Sequence, residues 1–444
     1  MTDPARRVPM RSLAPEVAVE SFAEVALGYS RDEAMAEAQR AAGADLAPAA
    51  AACPFGVDVA GLVRKVAAGD FAGAHALALA AHPWPGIMGR YCHKHCESAH
   101  ALGDGRESLF IGALERAAAE HGAAARAPFR AGSPTGRRVA VLGAGSAASA
   151  AAYRLRQRGH GVAMWEQLPI GGGMMAVGYP DFRLPLAVVA RENALAQWGV
   201  ELNFGVAIDR ALVLRLLASN DAVIAATGKF KGVTLGIPGE TLDGVFDALD
   251  VLTRVKLGRA VALGRRVVVL GAGYSAQDVS RTARRLGSEV TIYYRRRAAD
   301  MPVSQAALPR YLAQQAGEGA PYVFEVAPQA ILGSGGKVAG VRLVRTAAGP
   351  LDASGRPEPL PVPGSEFIVA CDTVIAAAGE VADLSFLPDG VARTPAGHVA
   401  VDPVTFATSI PRLYAAGEMA GTRQTDGALA SGFACADAVD RALR

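Results

Sequence analysis

One nine-residue pattern occurs twice, and it constrains the fold more than any other feature of the chain. RRVAVLGAG spans 137–145, and RRVVVLGAG spans 265–273, 128 residues further on. In each, a short apolar run of strand type breaks at glycines. A helical stretch follows, to about 158 in the first copy and about 286 in the second. A second strand comes next, VAMWE (162–166) and VTIYY (290–294). A β-α-β unit of this kind sets a glycine turn against a helix N-terminus, where backbone N–H groups and the helix dipole favour an anion. Two units this far apart predict an α/β protein with two separate Rossmann-like dinucleotide-binding domains.

The two units differ at the end of the second strand. In the first, Gly143 and Gly145 open the turn and Ala148 takes the third small-residue position. Glu166 ends the second strand 23 residues after Gly143. A carboxylate there can accept both ribose hydroxyls of an adenosine. In the second, Gly271, Gly273 and Ser275 form the turn, and the strand runs into Arg295, Arg296 and Arg297. Guanidinium groups bind a 2′-phosphate that a carboxylate would repel. The first unit thus suits FAD and the second NADPH, with NADH as the alternative; a solvated strand end is the plainer reading of the arginines.

Other stretches add candidate cofactor contacts. GGGMM after the first unit contains Gly172 and Gly173, where backbone can approach a flat ring and bulky apolar residues can cover it. AVIAATG (222–228) and TVIAAAG (373–379) end in similar turns, which contribute Thr227, Gly228 and Gly379. In AAGEMAG (415–421), Gly417 precedes Glu418, a carboxylate placed to hold a ribityl hydroxyl. A helix from about 427 to 443, opening at Gly427 and Ala428, would aim its positive end at the reducible ring. Each of these could also be a packing turn.

Composition excludes several classes. Hydrophobic residues are 51% and charged residues 20% of the 444, with a net charge of +3. That is a folded enzyme's profile, with no basic patch to argue for nucleic acid or a membrane surface. The most apolar run, VAVLGAGSAASAAAY, is broken by glycines, and MTDPARRVPMRS lacks a signal peptide's apolar segment. A cytoplasmic, reducing location is expected, so the five cysteines are not expected to pair as disulfides. Ahead of the first unit, residues 1–130 are alanine-rich, with helical periodicity over 31–42, 58–81 and 107–121. Residues 122–137 then read as a connector. The segment 340–368 reads as antiparallel strands with turns at AAGP and SGRP. Within the helical region YCHKHCESAH (91–100) gathers two cysteines and three histidines.

The ordered set VAVLGAG…E, GGG…GYPDFRLP, GIPGE, VVVLGAGYSAQDVSRTARRLG, YYRRR…MP and LYAAGE…G resembles the small (β) subunit of glutamate synthase and the FAD/NADPH half of dihydropyrimidine dehydrogenase. The likeness covers most of residues 20–444. It implies a helical iron–sulfur domain (1–135), an FAD domain (136–260 and 366–444) and an inserted NAD(P)H domain (261–365). Relatives carry two [4Fe-4S] clusters. Here Ala41, Ala44 and His100 stand where the first cluster's cysteines would be. Cys53, Cys92 and Cys96 remain for the other, with Glu115 at its non-cysteine position. The resemblance therefore implies one [4Fe-4S] cluster. A fourth bond from His100, a zinc site of the three cysteines and a histidine, or free thiols in a decayed domain are the alternatives. Cys371 and Cys435 read as small buried residues.

The function implied is an NAD(P)H-oxidising flavoprotein electron-transfer subunit. It would pass hydride from nicotinamide to flavin, and single electrons through the cluster to a partner subunit or ferredoxin, or run in reverse. Lost cysteines favour a divergent member, such as one serving a 2-oxoacid:acceptor oxidoreductase, over a genuine glutamate synthase small subunit. A non-catalytic scaffold subunit is the reading of another class.

Overall fold

The structure, a computed structural model, describes residues 5–102, 105–123, 128–304, 308–352, 355–422 and 424–444. The helical domain begins with α1 (Arg31–Gln39). The Ser30 hydroxyl accepts the Glu33 N–H, and the Glu33 carboxylate takes the Ser30 N–H in return. The helix expected over 58–81 is two helices, α2 (Val59–Ala67) and α3 (Phe71–Ala81). Gly69, at φ +76°, ends the first, and Asp70 caps the second through the Gly73 N–H. Next come α4 (Pro85–Tyr91) and α5 (Ile111–Gly122), the latter beginning four residues later than the periodicity suggests. Apolar faces of α1, α2, α3 and α5 share one core around Leu62, Val66, Phe71 and Leu114. The connector expected over 122–137 includes 124–127, which lie outside the described residues.

The first Rossmann unit consists of β1 (Arg138–Leu142), α6 (Ser146–Gln157), β2 (Gly161–Glu166), β3 (Glu201–Phe204) and β4 (Ala222–Ala225). The second consists of β5 (Val245–Asp247), α7 (Ala248–Lys256), β6 (Arg266–Leu270), α8 (Tyr274–Arg285), β7 (Glu289–Tyr294) and β8 (Tyr322–Phe324). An antiparallel sheet follows, formed by β9 (Val326–Ser334), β10 (Lys337–Leu351), β11 (Pro357–Pro361) and β12 (Phe367–Ala370). The chain then adds β13 (Thr373–Ala376), β14 (Leu413–Ala415) and α9 (Thr425–Leu443). Both Rossmann sheets are parallel: β14-β4-β1-β2-β3 for the first and β8-β7-β6-β13-β5 for the second. Their central strands are apolar runs because both faces are covered; the second sheet packs α7 and α8 on one face and the antiparallel sheet on the other.

The pairing corrects the expected domain bounds. β5 with α7, and β13 within TVIAAAG, belong to the second sheet rather than the first. The crossings between units lie at Lys231–Gly232 and Glu380–Val381, which pair with each other antiparallel. AAGP (347–350) is also not a turn. β10 runs through it with an irregular register between Ala348 and Leu351, and the chain reverses only afterwards, near SGRP, whose Ser354 lies outside the described residues.

A loop of the first unit pins the second in place. Arg183 reaches Asp278 at 2.6 Å, and Lys256 reaches Asp181 at 2.8 Å and the Leu184 carbonyl at 2.6 Å. Between them, Phe182 lies under the guanidinium groups of Arg281 and Arg285, at 4.4 and 4.0 Å. No helix of the described residues is long and apolar enough to cross a membrane.

Candidate functional site

The first cleft lies at the carboxyl ends of β1, β2 and β4. Gly143 holds φ +93°, and a Cβ there would stand 2.7 Å from the Ala226 carbonyl oxygen, so only glycine fits. A Cβ on Gly173 would come within 2.6 Å of Gly145, whereas one on Gly145 meets nothing nearer than 3.8 Å. The space above the turn is thus open to a ligand and closed to side chains from below. Glu166 is 7% exposed; its two oxygens accept the Ala144 and Leu168 N–H groups, each at 2.8 Å. Burial raises its pKa, and these backbone donors oppose the rise.

Gly143, Gly145, Glu166, Gly173, Thr227 and Gly228 all line this cleft, as do Gly417, Glu418 and Ala428 from the C-terminal segment. Three expected contacts do not. Ala148 is fully buried in the packed face of α6. Gly172, at φ +116°, donates its N–H to the Ala144 carbonyl at 2.7 Å, and its Cα faces Ala176 and Val189. Gly427 sits within the first turn of α9, facing Thr422. Lys229 and Thr425, not singled out in the sequence, complete the wall.

The second cleft, a cavity of about 750 Å³, is lined by Gly271, Gly273, Ser275, Gly379, Arg295 and Arg296. Its turn repeats the first: a Cβ on Gly271 (φ +144°) would meet the Ala377 carbonyl oxygen at 2.2 Å, while Gly273 faces open space out to 3.9 Å. Ser275 donates to Glu380 at 2.7 Å. Arg296 departs from the expectation. It is 6% exposed and already bound, with Nε donating to the Pro357 carbonyl at 2.7 Å and Nη2 to Asp352 at 2.5 Å. Arg295 is exposed, and Arg356, from beyond β10, joins it on the wall.

The clefts meet. Met174, Lys229, Glu418 and Thr425 line both. Burial raises the Glu418 pKa, and Lys229 opposes it. The first turn of α9 joins this junction to the helical domain. Tyr91 and Thr425 share a hydrogen bond at 2.8 Å, and His93 and His95 each approach Asp426 to 3.0 Å. Burial works to raise Asp426, but the two histidines outweigh it and hold its pKa down at about 2. The Cys92 thiol lies 3.6 Å from the same carboxylate.

Cys53, Cys92 and Cys96 are partly buried and gather around Glu115. Burial raises all three thiols, and each is raised further by the Glu115 carboxylate; Cys53 also raises Cys96, and Cys96 raises Cys92. Glu115 Oε1 is buried and lacks a hydrogen-bond partner. His82 Nε2 is 3.1 Å away but out of line, and it too is left without one. His100 is spent: its Nδ1 meets the Cys96 carbonyl at 2.8 Å, and its Nε2 accepts the Leu109 N–H at 3.1 Å. Among the described residues, no group of three or more such side chains is arranged to hold a metal ion. Ala41 and Ala44 pack against the helical core. Three part-buried thiols thus lie in the neighbourhood of a buried carboxylate oxygen that makes no hydrogen bond, a thiol-rich donor set of the kind an iron–sulfur cluster takes. Cys371 and Cys435 are buried in the sheet cores.

Comparison with known proteins follows the same division. Residues 18–127 match dihydropyrimidine dehydrogenase domain II, 4Fe-4S cluster, and residues 137–432 match pyridine nucleotide-disulphide oxidoreductase. The chain is 34% identical to the β subunit of the NADP(+)-dependent formate dehydrogenase of Moorella thermoacetica, over 96% of this chain and 65% of that subunit. It is also 34% identical to the small chain of glutamate synthase [NADPH] from Azospirillum brasilense, over 94% of this chain and 90% of that one. FprA of Mycobacterium tuberculosis, solved in complex with NADPH, shares the fold at TM-score 0.54 and 19% identity, over 68% of this chain and 83% of that one. The resemblance to the glutamate synthase small subunit is borne out. The chain belongs to the pyridine nucleotide-disulphide oxidoreductase family, an FAD- and NAD(P)H-dependent oxidoreductase with a [4Fe-4S] domain ahead of its two nucleotide units.

Proposed function

We propose that this chain is the NADPH-oxidising electron-transfer subunit of a larger cytoplasmic redox complex, with FAD in the first cleft and NADPH in the second. The observation that supports this is the shared wall of Met174, Lys229, Glu418 and Thr425, which would bring the reactive ends of two bound dinucleotides to one junction. When bound, the flavin supplies two-electron acceptance from nicotinamide and single-electron release. The protein's part is positioning and electrostatics. Gly145 and Gly273 leave room for pyrophosphates, and Glu166 presents a carboxylate to a ribose. The first turn of α9 lends its positive end to the reducible ring. Tyr91, Asp426 and the histidines tie that turn to Cys92, so Cys53, Cys92, Cys96 and Glu115 would hold a [4Fe-4S] cluster beside the junction.

The chain spans 65% of the Moorella subunit, so the partner and the final substrate belong to this reading alone. Supply of electrons to a dehydrogenase or ferredoxin partner is favoured over the glutamate synthase role, because Ala41, Ala44 and His100 leave ligands for one cluster. Anaerobic titration of the purified chain with NADPH tests this. Bleaching of the flavin followed by a reduced-cluster paramagnetic signal, with about four irons per chain, is expected. The cluster should be lost in Glu115→Ala and kept in His100→Ala. Iron content near eight, or a flavin that NADPH leaves oxidised, would contradict it.

A further inference from the structure

Among the described residues that line the second cleft, all but one lie at Met174 or beyond. The exception is His93, which comes from the helical domain and directly follows Cys92. Its place along the cleft is fixed by Asp426. His93 Nδ1 is 3.0 Å from Asp426 Oδ1, and Asp426 follows Thr425, which lines both clefts. His93 therefore stands at the junction end. A carboxylate oxygen accepts, so Nδ1 donates. Nε2 makes no hydrogen bond with any described residue. The ring meets Tyr274, in the first turn of α8, nearly edge to face, with centroids 6.3 Å apart at 73°. Tyr274 is itself held, its hydroxyl accepting the Ser304 N–H at 3.1 Å. His95 bonds the other Asp426 oxygen, but it is half-exposed and does not line the cleft. One ring nitrogen of His93 is thus spent on orientation, and the other is left for whatever fills the cleft.

We infer that His93 is a nicotinamide-contacting residue, its Nε2 hydrogen-bonding the carboxamide. This rests on the assignment of NADPH to the second cleft. The carboxamide matches the ring in either protonation state: its NH2 donates to a bare Nε2, and its carbonyl accepts from a protonated one. The helical domain then completes the nucleotide site as well as carrying the cysteines, and the residue beside Cys92 meets the electron donor.

Calorimetric binding of NADP+ and of 2′,5′-ADP, which lacks the nicotinamide half, to the full flavin-loaded chain tests the assignment. His93→Asn places an amide where Nδ1 lies, keeping the bond to Asp426 without the reach of Nε2. It should weaken NADP+ about fivefold, the order of one hydrogen bond, and leave 2′,5′-ADP within about twofold. His93→Gln, whose longer amide reaches the position of Nε2, should hold both ligands within about twofold of the wild type. Unchanged NADP+ affinity in His93→Asn, or a matching loss of 2′,5′-ADP, would overturn the assignment. So would a His93→Gln chain that loses NADP+ as far as His93→Asn does. A wild-type chain that binds neither ligand would instead remove the NADPH reading beneath it.

Discussion

The two nucleotide units share a strand, a glycine turn and a helix, and they part company at one strand end. In the first, Glu166 is buried and turned inward, holding the Ala144 and Leu168 N–H groups of its own loops. In the second, Arg295 is exposed and turned outward, and its neighbour Arg296 anchors a hairpin. An acid at this position is pre-organised by the loop it stabilises. A cation is left free to meet a ligand that brings the opposite charge. The same backbone thus carries two specificities, and the identity of the terminal side chain selects between them.

The comparison can be broken from either side. Glu166→Ala has the largest expected effect: two charge-assisted bonds to a ribose are lost, about 1.5–3 kcal/mol each. Flavin affinity should fall roughly hundredfold or more, read as flavin retained per chain after dialysis; full retention would mean that the acid serves only its loops. Arg295→Ala should raise the KM for NADPH about tenfold while the flavin content stays that of the wild type; a loss of flavin would mean that the two ends are not independent. Lys256→Met tests the seam between the units. Its partner Asp181 is 41% exposed at the side chain and can turn to water. The buried Leu184 carbonyl loses its Lys256 donor, so the cost should be about 1–3 kcal/mol of stability, read by denaturant unfolding; a much larger loss would make this contact, rather than Phe182 and Arg183, the main fastening.

Much of this was legible in the residues. RRVAVLGAG and RRVVVLGAG located both units, and Glu166 against the arginines separated their chemistry. The insertion's bounds were not legible. AVIAATG and TVIAAAG read alike, and only pairing with β6 rather than β1 assigns the second of them. Ala148, Gly172 and Gly427 fit motif positions, yet they face the core or their own turns, because side-chain direction is set by helix packing. Arg296 lines the second cleft as expected, but that its guanidinium also binds Asp352 and the Pro357 carbonyl shows only in the folded chain. At the cluster, the spacing of Cys92 and Cys96 was visible, but the spent nitrogens of His100 and the unpartnered oxygen of Glu115 appear only once the chain is folded.

The central claim, opposite strand ends sorting two cofactors into one relay, is tested most directly by rapid mixing of the anaerobic wild-type chain with NADPH and, separately, with NADH. Below saturation, NADPH should reduce the flavin at least tenfold faster; equal rates, or faster reduction by NADH, would contradict the account.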